Sequence, residues 1–542
     1  MARGLRTTAI HTNNEDAAAA FTPQVLDAGG AASMAGGVRL DPETAARSYL
    51  SQALSAPALG FAAEQPVAGA ELRTLGSETV PLTNSQTVKF RQYVRKVPVY
   101  GSLVTVEMDE NNQLLSINSA LGEPSVNPVA SISPRDALER VREVAGADAE
   151  GIPRLHYYYD DTEGKQAWRL VYLVEDVYDS TSEGDRPHLY NFVVDAHSGE
   201  MVRRVPRSAC VEAPEAEGPL AEATVVDENG NPRQIAFRVV DATRRELHDE
   251  RYNVHTYDFN FADAAFQRSL LPGTYVSNPP NWMAPAVSAH ANAGEVARYV
   301  RDVLRRNGLD GQGEGYVSSI NCTYRGSGKE WRNAAWTGRQ MIYGQRLENG
   351  GLKSYARALD VVAHEIFHGI TDRTAGMEYQ GESGALNESY SDIFGVIVSN
   401  RGVPDPRAWN WELGEDLGGK GALRDLRQPA RFDQPEKMSE YRKLPLTEVG
   451  DWGGVHINSG IHNHAAYLML TARSADDRPL FDANTGGAVF YVALTQHLSR
   501  TSEFSDSRRA VTLAIQSLFR TDPLLDQRLT AAANAFHTAE IV

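Results

Sequence analysis

The sequence predicts an α+β protein that divides into several domains. At 542 residues the chain is too long for one hydrophobic core, so three or four domains are expected. Much of the first half alternates apolar and polar residues with the period of a strand, whereas the last third carries apolar stripes with helical spacing. An acidic stretch between the halves shows neither period and predicts an exposed linker.

The composition excludes several classes of protein. Hydrophobic residues make up 42% and charged residues 23%, as in an ordinary globular protein. A formal charge of −17 argues against a nucleic-acid binder, which would carry a basic face. No apolar run is long enough to predict a membrane span, and the N-terminus MARGLRTTAIHTNNED lacks the apolar core of a secretory signal. Cys210 and Cys322 lack zinc-knuckle spacing, and whether they pair is left open.

The N-terminal part is expected to begin without regular structure and to continue as strands. Residues 1–40 are rich in Ala, Gly and Thr, so they are expected to form a flexible lead. Strands begin near Glu71, and a turn at DENN joins the predicted strands Leu103–Met108 and Leu114–Ile117.

The next region reads as a helix packed on a small sheet. Ser133 is the predicted N-cap of a helix that has Pro134 in its first position and stops at Gly146. Strands follow at AWRLVYLV and LYNFVVDAHSGEMVRRV. The stretch Val211–Ala223 is the predicted linker, and beyond it strands such as IAFRVVD give way to helices such as AGEVARYVRDVLRRNG.

The segment ALDVVAHEIFHGITDRTAG contains the pattern HExxH at His364, Glu365 and His368. A bare match arises by chance in roughly 2% of chains of this composition, so the three residues alone decide nothing. On a helix, His364 and His368 share one face and can both reach a single zinc ion, with Glu365 beside them to accept a proton from water. The alternative, two hydrogen-bonded helix histidines without a metal, is left open by these residues alone.

A third ligand is available downstream, in GESGALNESYSD. Glu388 follows His368 by twenty residues, and Asp392 lies one helical turn later on the same face. A zinc site needs such a third protein ligand, and a carboxylate like Asp392 can fix the tautomer of a ligand histidine. Gly376 lies between the two predicted helices and lets the chain turn back.

Two further residues are candidates for transition-state stabilisation. His456, in DWGGVHINSG, follows Asp451 by five residues, and a histidine held by an aspartate can stabilise an oxyanion or donate a proton. Tyr379, in GMEYQGESGA, could be a second donor. Taken alone, His456 is better explained as a structural loop residue, whereas Tyr379 is explained equally well as a core residue.

These motifs together resemble the thermolysin family of bacterial zinc endopeptidases. The resemblance runs in order through WRNAAWTGRQMIYG, DVVAHEIFHGITDRTAG, GESGALNESYSDIFG, WELGED and GGVHINSGIHNHAAYLM, and covers about 225–542. More loosely, VRKVPVYGSLVTVEMDENNQLLSIN resembles the fungalysin/thermolysin propeptide module, and VVDAHSGEMV resembles the end of a PepSY domain. The resemblance implies a β-rich lobe, a helical lobe and the zinc helix between them, preceded by α+β propeptide domains.

Carried over by position, the resemblance implies specific roles. The implied zinc ligands are His364, His368 and Glu388, with Glu365 as general base and Asp392 as the partner of His364. Tyr379 and His456, the latter oriented by Asp451, would stabilise the transition state. The implied substrate contacts are Asn333, the carbonyl of Ala334, Arg424, and an apolar pocket of Val361, Leu413 and Leu423. Such a lining implies cleavage before large hydrophobic residues.

Calcium is the point at which the sequence departs from the family. Asp360, Glu412 and Glu415 match calcium-binding positions, whereas Ser399 and Asn410 stand where acidic ligands would be expected. Affinity for calcium rises with the number of anionic ligands. At most one structural calcium ion is therefore expected.

The resulting prediction is a self-processing zymogen of a secreted, monomeric zinc endopeptidase that acts on polypeptides. Its own propeptide is expected to act as inhibitor and folding aid, with no nucleic-acid or membrane partner. The predicted parts are a lead (1–40), a propeptide module (41–124), a PepSY-like domain (125–206), a linker with the maturation cut (207–223), and the two catalytic lobes (224–376 and 377–542). Two alternatives are a catalytically silent binding protein with this fold and a zinc aminopeptidase, although the GxMEN-like stretch typical of the latter is absent from the sequence.

Overall fold

The computed structural model describes residues 4–12, 41–56, 59–61, 67–162, 166–179, 189–207, 219–241, 244–267, 270–276, 278, 281–418 and 421–542. The chain forms two compact units. The first comprises 1–182, 190–206 and 492–529, and the second comprises 183–189, 207–491 and 530–542. Among the described residues, no helix is long and apolar enough to cross a membrane.

The described helices are few before residue 280 and closely spaced after it. In chain order they are α1 (Pro42–Ser55), α2 (Pro134–Ala145), α3 (Ala284–Asp302), α4 (Leu359–Asp372), α5 (Gly381–Ser399), α6 (Asp451–Leu470), α7 (Ala483–Val492, continued by a π-helical turn Ala493–His497), α8 (Phe504–Leu518) and α9 (Leu525–Thr538).

The strands of the first unit form two sheets. The first sheet has the order β1-β6-β5-β3-β2, with β4 paired to β3, and the second has the order β10-β9-β8-β7. Their bounds are β1 (Leu5–His11), β2 (Ala70–Val80), β3 (Ser85–Val94), β4 (Val97–Pro98), β5 (Leu103–Met108), β6 (Leu114–Gly122), β7 (Arg154–Asp160), β8 (Ala167–Tyr178), β9 (Leu189–Asp195) and β10 (Met201–Arg207).

The strands of the second unit form four sheets, the largest with the order β14-β15-β17-β19-β18 and β16 paired to β15. Their bounds are β11 (Leu220–Val226), β12 (Pro232–Val239), β13 (Arg245–Glu246), β14 (His248–Asp249), β15 (Val254–Asp258), β16 (Thr274–Tyr275), β17 (Tyr316–Ile320), β18 (Ala334–Trp336), β19 (Met341–Tyr343), β20 (Gln345–Glu348), β21 (Gly351–Ser354), β22 (Glu412–Leu413) and β23 (Arg424–Asp425).

The first sheet overturns part of the predicted flexible lead. Residues 5–11 form the edge strand β1, which pairs with β6 from Leu5 opposite Gly122 to His11 opposite Ser116. Most side chains of β1 are half-buried on both faces, so the strand shows no apolar alternation that the sequence could reveal. Residues 13–40 of the predicted lead lie outside the described residues.

One face of this sheet forms a core with helix α1, which the sequence analysis missed. The helix begins at an N-cap, Asp41, whose side chain accepts from the backbone N–H of Thr44, and Pro42 follows in the first turn. Tyr49 and Leu50 of α1 pack in one core cluster with Val88, Phe90, Val104, Val106 and Ile117 of the sheet. The predicted hairpin between β5 and β6 is confirmed by their antiparallel pairing.

The second sheet carries the predicted helix. Ser133 and Asp136 form a reciprocal capping box at the start of α2, and Gly146 ends the helix with a φ of 107°. Helix α2 contacts β8 of the four-stranded sheet, so the predicted packing of a helix on a small sheet is confirmed.

The predicted linker is too long at both ends. Arg207 belongs to β10, and the second unit already begins with β11 at Leu220, which pairs with β12 from Leu220 opposite Arg238 to Val226 opposite Pro232. The prediction failed there because LAEATVV is an edge strand with alternating half-exposed residues and no strong apolar signal. Residues 208–218, and Cys210 among them, lie outside the described residues.

The functional residues are carried by the helices of the second unit and by one edge strand. Helix α4 ends at Asp372, and the chain reverses through Gly376, whose φ of 58° suits glycine and whose N–H donates to the carbonyl of Thr371. Helix α5 then packs along α4, and α6 packs on α5. Strand β18, at the edge of the large sheet, lies against α4.

Candidate active site

Three potential metal ligands converge between α4 and α5. The Nε2 atoms of His364 and His368, one turn apart on α4, lie 3.0 Å from each other. Glu388 on α5 places Oε2 3.5 Å from Nε2 of His364 and Oε1 3.3 Å from Nε2 of His368. Zinc–ligand bonds of about 2.0–2.2 Å at tetrahedral angles would separate ligand atoms by roughly 3.3–3.5 Å. The two carboxylate–histidine separations lie in this range and the Nε2–Nε2 separation is about 0.3 Å shorter, so the triad is close to the spacing of tetrahedral zinc ligands.

The electrostatics of the triad also fit a cation. Burial opposes a charge on His368, but the Glu388 carboxylate outweighs it and raises the pKa of His368 to about 9. Burial likewise opposes a charge on Glu388, yet His456 and His368 hold its pKa well below the usual value. Oε2 of Glu388 is buried and has no hydrogen-bond partner, which makes it a donor atom available to a metal.

Asp392 lies directly behind the first histidine. Its Oδ1 is 2.9 Å from Nδ1 of His364, on the ring edge opposite to the triad. Arg424 donates to the same Oδ1 at 2.7 Å, and Asn463 donates to Oδ2 at 2.8 Å. Burial would raise the pKa of Asp392, but Arg424 and His364 hold it below the usual value. The arrangement keeps Asp392 ionised next to Nδ1 of His364, where a carboxylate favours the proton on Nδ1 and leaves Nε2 of the ring to bind a metal.

The carboxylate of Glu365 is fixed by the edge strand β18. The backbone N–H of Trp336 donates to Oε2 of Glu365 at 2.7 Å. On the opposite edge of β18, the carbonyl of Asn333 accepts the N–H of Gly344, and the N–H of Thr337 donates to the carbonyl of Gln340. The backbone groups of these odd-numbered residues therefore point towards β19. The backbone groups of Ala334 therefore point, like the N–H of Trp336, away from the sheet and towards the side of Glu365.

Tyr379 and His456 meet at the same carboxylate. Nε2 of His456 lies 3.3 Å from Oε1 of Glu388 and 3.2 Å from the hydroxyl of Tyr379, which itself donates to Oε1 of Glu388. Asp451 holds His456 twice: Oδ1 lies 2.7 Å from Nδ1 of the ring, and Oδ2 accepts the backbone N–H at 2.8 Å. Both candidate donors are thus brought to the metal triad.

A left-handed bend in the chain makes the double contact of Asp451 possible. Trp452, Gly453 and Gly454 have φ values of 49°, 94° and 77° inside α6. The bend carries the chain from Asp451 to His456 so that the aspartate caps the regular part of the helix. Two consecutive glycines at positive φ are the sequence feature that allows it.

The residues expected to contact substrate lie around the triad but differ in exposure. Arg424 faces Leu413 across the β22–β23 pair, and its guanidinium also lies 3.8 Å from Oε2 of Glu388. Val361 and Leu413 are almost completely buried, whereas Leu423 is 44% exposed. Leu423 is therefore the residue of this set that offers apolar surface to a ligand.

The three carboxylates expected to bind calcium are not brought together. Asp360 and Glu415 interact directly, and burial together with the charge of Glu415 raises the pKa of Asp360 well above its usual value. The carboxylate of Glu412 instead accepts from Arg431 at 2.7 Å. In the described part of the chain, Asp360, Glu412 and Glu415 do not form a group with ligand atoms within 4.8 Å of one another, so a calcium role for Glu412 stays a prediction.

Several residues around the triad were missed by the sequence analysis. Asn387 and Ser391 lie 2.9 and 3.1 Å from Nδ1 of His368 and so orient the second ligand. The helical position of Asn387, next to Glu388, could have indicated this contact. The contact of Asn463 with Asp392 joins residues 71 positions apart, and no local pattern reveals it.

Comparisons with known proteins agree with this geometry. Residues 223–372 match the family model "Thermolysin metallopeptidase, catalytic domain", and 375–541 match "Thermolysin metallopeptidase, alpha-helical domain". Residues 70–121 match the "Fungalysin/Thermolysin Propeptide Motif".

Named relatives can be aligned with most of this chain. A bacillolysin of Bacillus subtilis (strain 168) is 30% identical over 448 residues, which cover 80% of this chain and 79% of the relative. A thermolysin of Alicyclobacillus acidocaldarius is 28% identical and covers 92% of this chain and 90% of its own length. Among solved structures, the precursor of protealysin from Serratia proteamaculans is 29% identical, covers 53% of this chain and 87% of its own, and has a TM-score of 0.44. The chain belongs to the thermolysin family of zinc metalloendopeptidases and carries the propeptide of a zymogen.

Proposed function

We propose that His364, His368 and Glu388 hold the catalytic zinc ion of this metalloendopeptidase and that Glu365 is its general base. The observation that carries the proposal is the convergence of the two Nε2 atoms and the Glu388 carboxylate, separated by 3.0–3.5 Å, with Oε2 of Glu388 left without a hydrogen bond among the described residues. Zinc bound there supplies a Lewis acid that polarises the scissile carbonyl and lowers the pKa of water towards 7.

Proton transfer falls to Glu365. Its Oε2 is held by the N–H of Trp336, which leaves Oε1 to accept a proton from the attacking water and pass it to the leaving amine. A carboxylate held at one oxygen keeps its position throughout both transfers, and this preorganisation lowers the barrier.

Oxyanion stabilisation falls to His456 and Tyr379. Because Asp451 binds Nδ1 and the backbone N–H of His456, the ring is fixed with Nε2 towards Glu388. The hydroxyl of Tyr379 lies 3.2 Å from the same nitrogen, so two donors point at one small volume. Donors placed in advance at the position where negative charge develops are among the largest contributions to catalysis.

We propose that the substrate backbone adds to the sheet at the free edge of β18. The outward N–H and carbonyl of Ala334, with the side chain of Asn333, would pair with an extended peptide, as in other cases of strand addition. Arg424 would bind a substrate carbonyl beside the pocket of Val361, Leu413 and Leu423. The apolar lining supports cleavage before a large hydrophobic residue, and the free edge suits internal bonds of an unfolded polypeptide.

Maturation is proposed to separate the propeptide within the acidic linker. The sequence between β10 and β11 contains Glu212, Glu215 and Glu217 and no apolar pattern, which predicts a linker, and linkers are where proteolysis concentrates. The domain of residues 125–206 is proposed to be PepSY-like. Secretion as a monomer is proposed from the likeness to the bacillolysins and thermolysin.

One structural calcium ion is proposed at Asp360 and Glu415. Burial and the charge of Glu415 raise the pKa of Asp360, burial also raises the pKa of Glu415, and a divalent cation would stabilise the ionised form of both carboxylates. The pair supplies two anionic ligands, which supports weak binding of a single ion.

Glu365→Gln tests the assignment of the base. The variant removes a proton acceptor without removing a ligand, so it should keep its zinc and lose at least about 10³-fold in kcat/KM on casein. It should also remain as the uncut precursor. A purified variant that digests casein at the wild-type rate, with full zinc in both proteins, would refute the assignment. Loss of zinc in the same variant would instead make Glu365 a ligand.

A further inference from the structure

The boundary between the two units does not follow the boundary between propeptide and enzyme. Residues 492–529 match the thermolysin helical domain in sequence, but they belong to the compact unit built by the propeptide. The first propeptide sheet provides the contact. Its apolar face is used by α1, so the contact is made by the opposite, polar face.

That polar face carries a row of three hydrogen-bond donors. Lys89 on β3 is opposite Thr105 on β5, and Thr105 is opposite Asn118 on β6, so the three side chains share one line across the sheet. Lys89 donates to the carbonyl of Thr495 at 2.8 Å, Thr105 to that of Gln496 at 2.8 Å, and Asn118 to that of His497 at 3.0 Å. One row of the sheet thus binds three consecutive carbonyl groups.

These carbonyls lie at the end of the π-helical turn that continues α7. The last four carbonyls of a helix have no partner within the helix and need one elsewhere when they are buried. Thr495, Gln496 and His497 are 4–6% exposed, so water does not serve them. The positive charge of Lys89 also suits the negative end of the helix dipole. Lys89, Thr105 and Asn118 of the propeptide sheet therefore cap the C-terminal end of α7 and its π-helical turn.

A second contact on the same face is equally polar. The carboxylate of Glu107, next but one to Thr105 on β5, accepts from Ser517 of α8 at 2.7 Å as well as from Ser85 and Ser116 of its own sheet. Arg509 of α8 donates to Oδ1 of Asn118 at 3.1 Å, so the amide of Asn118 is bound on both sides. Hydrogen bonds between polar groups therefore make up this second contact as well.

We propose that this polar face, defined by Lys89, Thr105, Glu107 and Asn118, is a detachable docking surface for residues 495–517 of the enzyme, and that it retains the propeptide after the linker has been cut. The proposal rests on the proposed zymogen maturation. A polar contact surface suits a temporary partner, because the hydrogen-bonding groups of Lys89, Thr105, Glu107 and Asn118 can bind water once the two parts separate. The specificity comes from the match between the strand spacing and three successive helix carbonyls.

The test separates docking from catalysis by using the full chain in the Glu365→Gln background, loaded with zinc. The linker is cut by limited digestion with a glutamate-specific protease, and the cut position is verified by mass. Dissociation of the two fragments is then followed by native mass spectrometry over a dilution series. Thr105→Val removes one hydroxyl at nearly constant volume, and Thr105→Ser restores it.

Thr105→Val should weaken the association of the fragments about 5- to 10-fold, and Lys89→Met, Thr105→Val and Asn118→Leu together should weaken it roughly 10²-fold or more. Thr105→Ser should restore wild-type association. Gln86→Leu, on β3 but bonded only to Thr79 of the same sheet, is the matched control and should change nothing. Equal association of Thr105→Val and wild type would overturn the proposal, and so would dissociation of the wild-type fragments immediately on cutting. If the triple variant yields no soluble chain, the Thr105 pair decides. Absence of casein hydrolysis by the wild-type chain would refute the proposed function but would leave this result standing.

Discussion

The second unit contains two buried groups of histidines that behave in opposite ways. The carboxylate of Glu388 raises the pKa of His368 to about 9, and the Nε2 atoms of His364 and His368 lie 3.0 Å apart. In the N-terminal lobe, the rings of His248 and His255 stack with centroids 3.9 Å apart, and burial lowers their pKa values to about 4 and about 3. The residue type is the same, but the neighbouring charge differs.

Among the described residues, the hydrogen-bond partners of the second group are neutral groups. His290, adjacent to this pair, accepts from or donates to Thr256 through Nδ1 at 3.0 Å and donates to the carbonyl of Ala236 through Nε2 at 2.8 Å. Burial lowers its pKa to about 4. Nδ1 atoms of His248 and His255 are buried without a hydrogen-bond partner. A buried histidine becomes a metal ligand where carboxylates compensate the cation, and a packing element where they do not.

The largest effect should come from removing the carboxylate that distinguishes the first group. Glu388→Ala should abolish zinc binding, because it removes a ligand and the charge that compensates the cation. Asp392→Ala should weaken zinc binding or activity about 10- to 100-fold, since it removes only the support of His364. Zinc content after gel filtration, together with competition against a chelator, measures both. Glu412→Ala is the matched control, because this carboxylate pairs with Arg431; full zinc in Glu388→Ala would contradict the ligand assignment.

The second group should make the fold sensitive to acid. The folded pKa values of His248, His255 and His290 lie below the unfolded value of about 6.5, so the unfolded chain binds more protons at low pH. Their stabilising effect is complete above about pH 6.5 and is lost as the pH falls towards 4. At pH 5 the loss is about 2 kcal/mol for each histidine.

The substitution His255→Gln tests whether this histidine makes the unfolding free energy fall towards low pH. Relative to the Glu365→Gln parent, the slope of unfolding free energy against pH should fall by about 1.4 kcal/mol per pH unit near pH 5, because one proton fewer is taken up on unfolding. His537→Gln, at an exposed site, should leave the slope unchanged. Denaturant titrations between pH 4.5 and 7.5 give the slopes. An unchanged slope in His255→Gln would show that this histidine is not held neutral.

A third group of charged residues is the pair of Asp360, which is buried, and Glu415, which is half-buried. Calcium at ten times its dissociation constant should raise the unfolding free energy of the Glu365→Gln chain by about 1.4 kcal/mol, and so raise its thermal midpoint. Asp360→Asn should lose this response, and Glu412→Gln should keep it. Calorimetry should find one weak site. Two tight sites, or a thermal midpoint independent of calcium, would contradict the proposal.

The sequence was informative where spacing along one helix decides the geometry. The four-residue spacing of His364 and His368, and of Glu388 and Asp392, predicts which side chains share a face, and these residues do converge. The sequence did not predict contacts between residues that are far apart along the chain. The hydrogen bond from the N–H of Trp336 to Glu365 depends on how an edge strand packs against a helix. The number of carboxylates did not show that Glu412 pairs with Arg431, which lies nineteen residues later.

The same limit applies to the fold and to the second histidine group. The helix at Ser133 was found from its own caps, whereas the edge strand Leu5–His11 has no apolar period and exists only through its pairing with β6. His248, His255 and His290 share no spacing that predicts contact. They meet because neighbouring strands of a sheet and a crossing helix bring them together.

The smallest effect concerns a chain of hydrogen bonds behind Asp392. Asn463 donates Nδ2–H to Asp392, so its Oδ1 must accept, and Ser389 supplies that proton at 2.7 Å. Ser389 then accepts from Nδ1–H of His462, also at 2.7 Å, which fixes the tautomer of that buried histidine. Every donor in the chain points towards Asp392, and aligned bonds of this kind strengthen one another.

Ser389→Ala should therefore act on zinc through Asp392, but weakly. Asp392 keeps Arg424 and His364, so zinc affinity should fall by less than about 10-fold, below the effect of Asp392→Ala. The unfolding free energy should fall by about 1–3 kcal/mol, because two buried polar atoms lose their partner. Ser389→Thr retains the hydroxyl and should recover most of the zinc affinity, which a purely steric effect would not allow. Chelator competition and thermal unfolding measure the two effects, and a loss of zinc affinity as large as that of Asp392→Ala would show that Ser389 does more than orient Asn463.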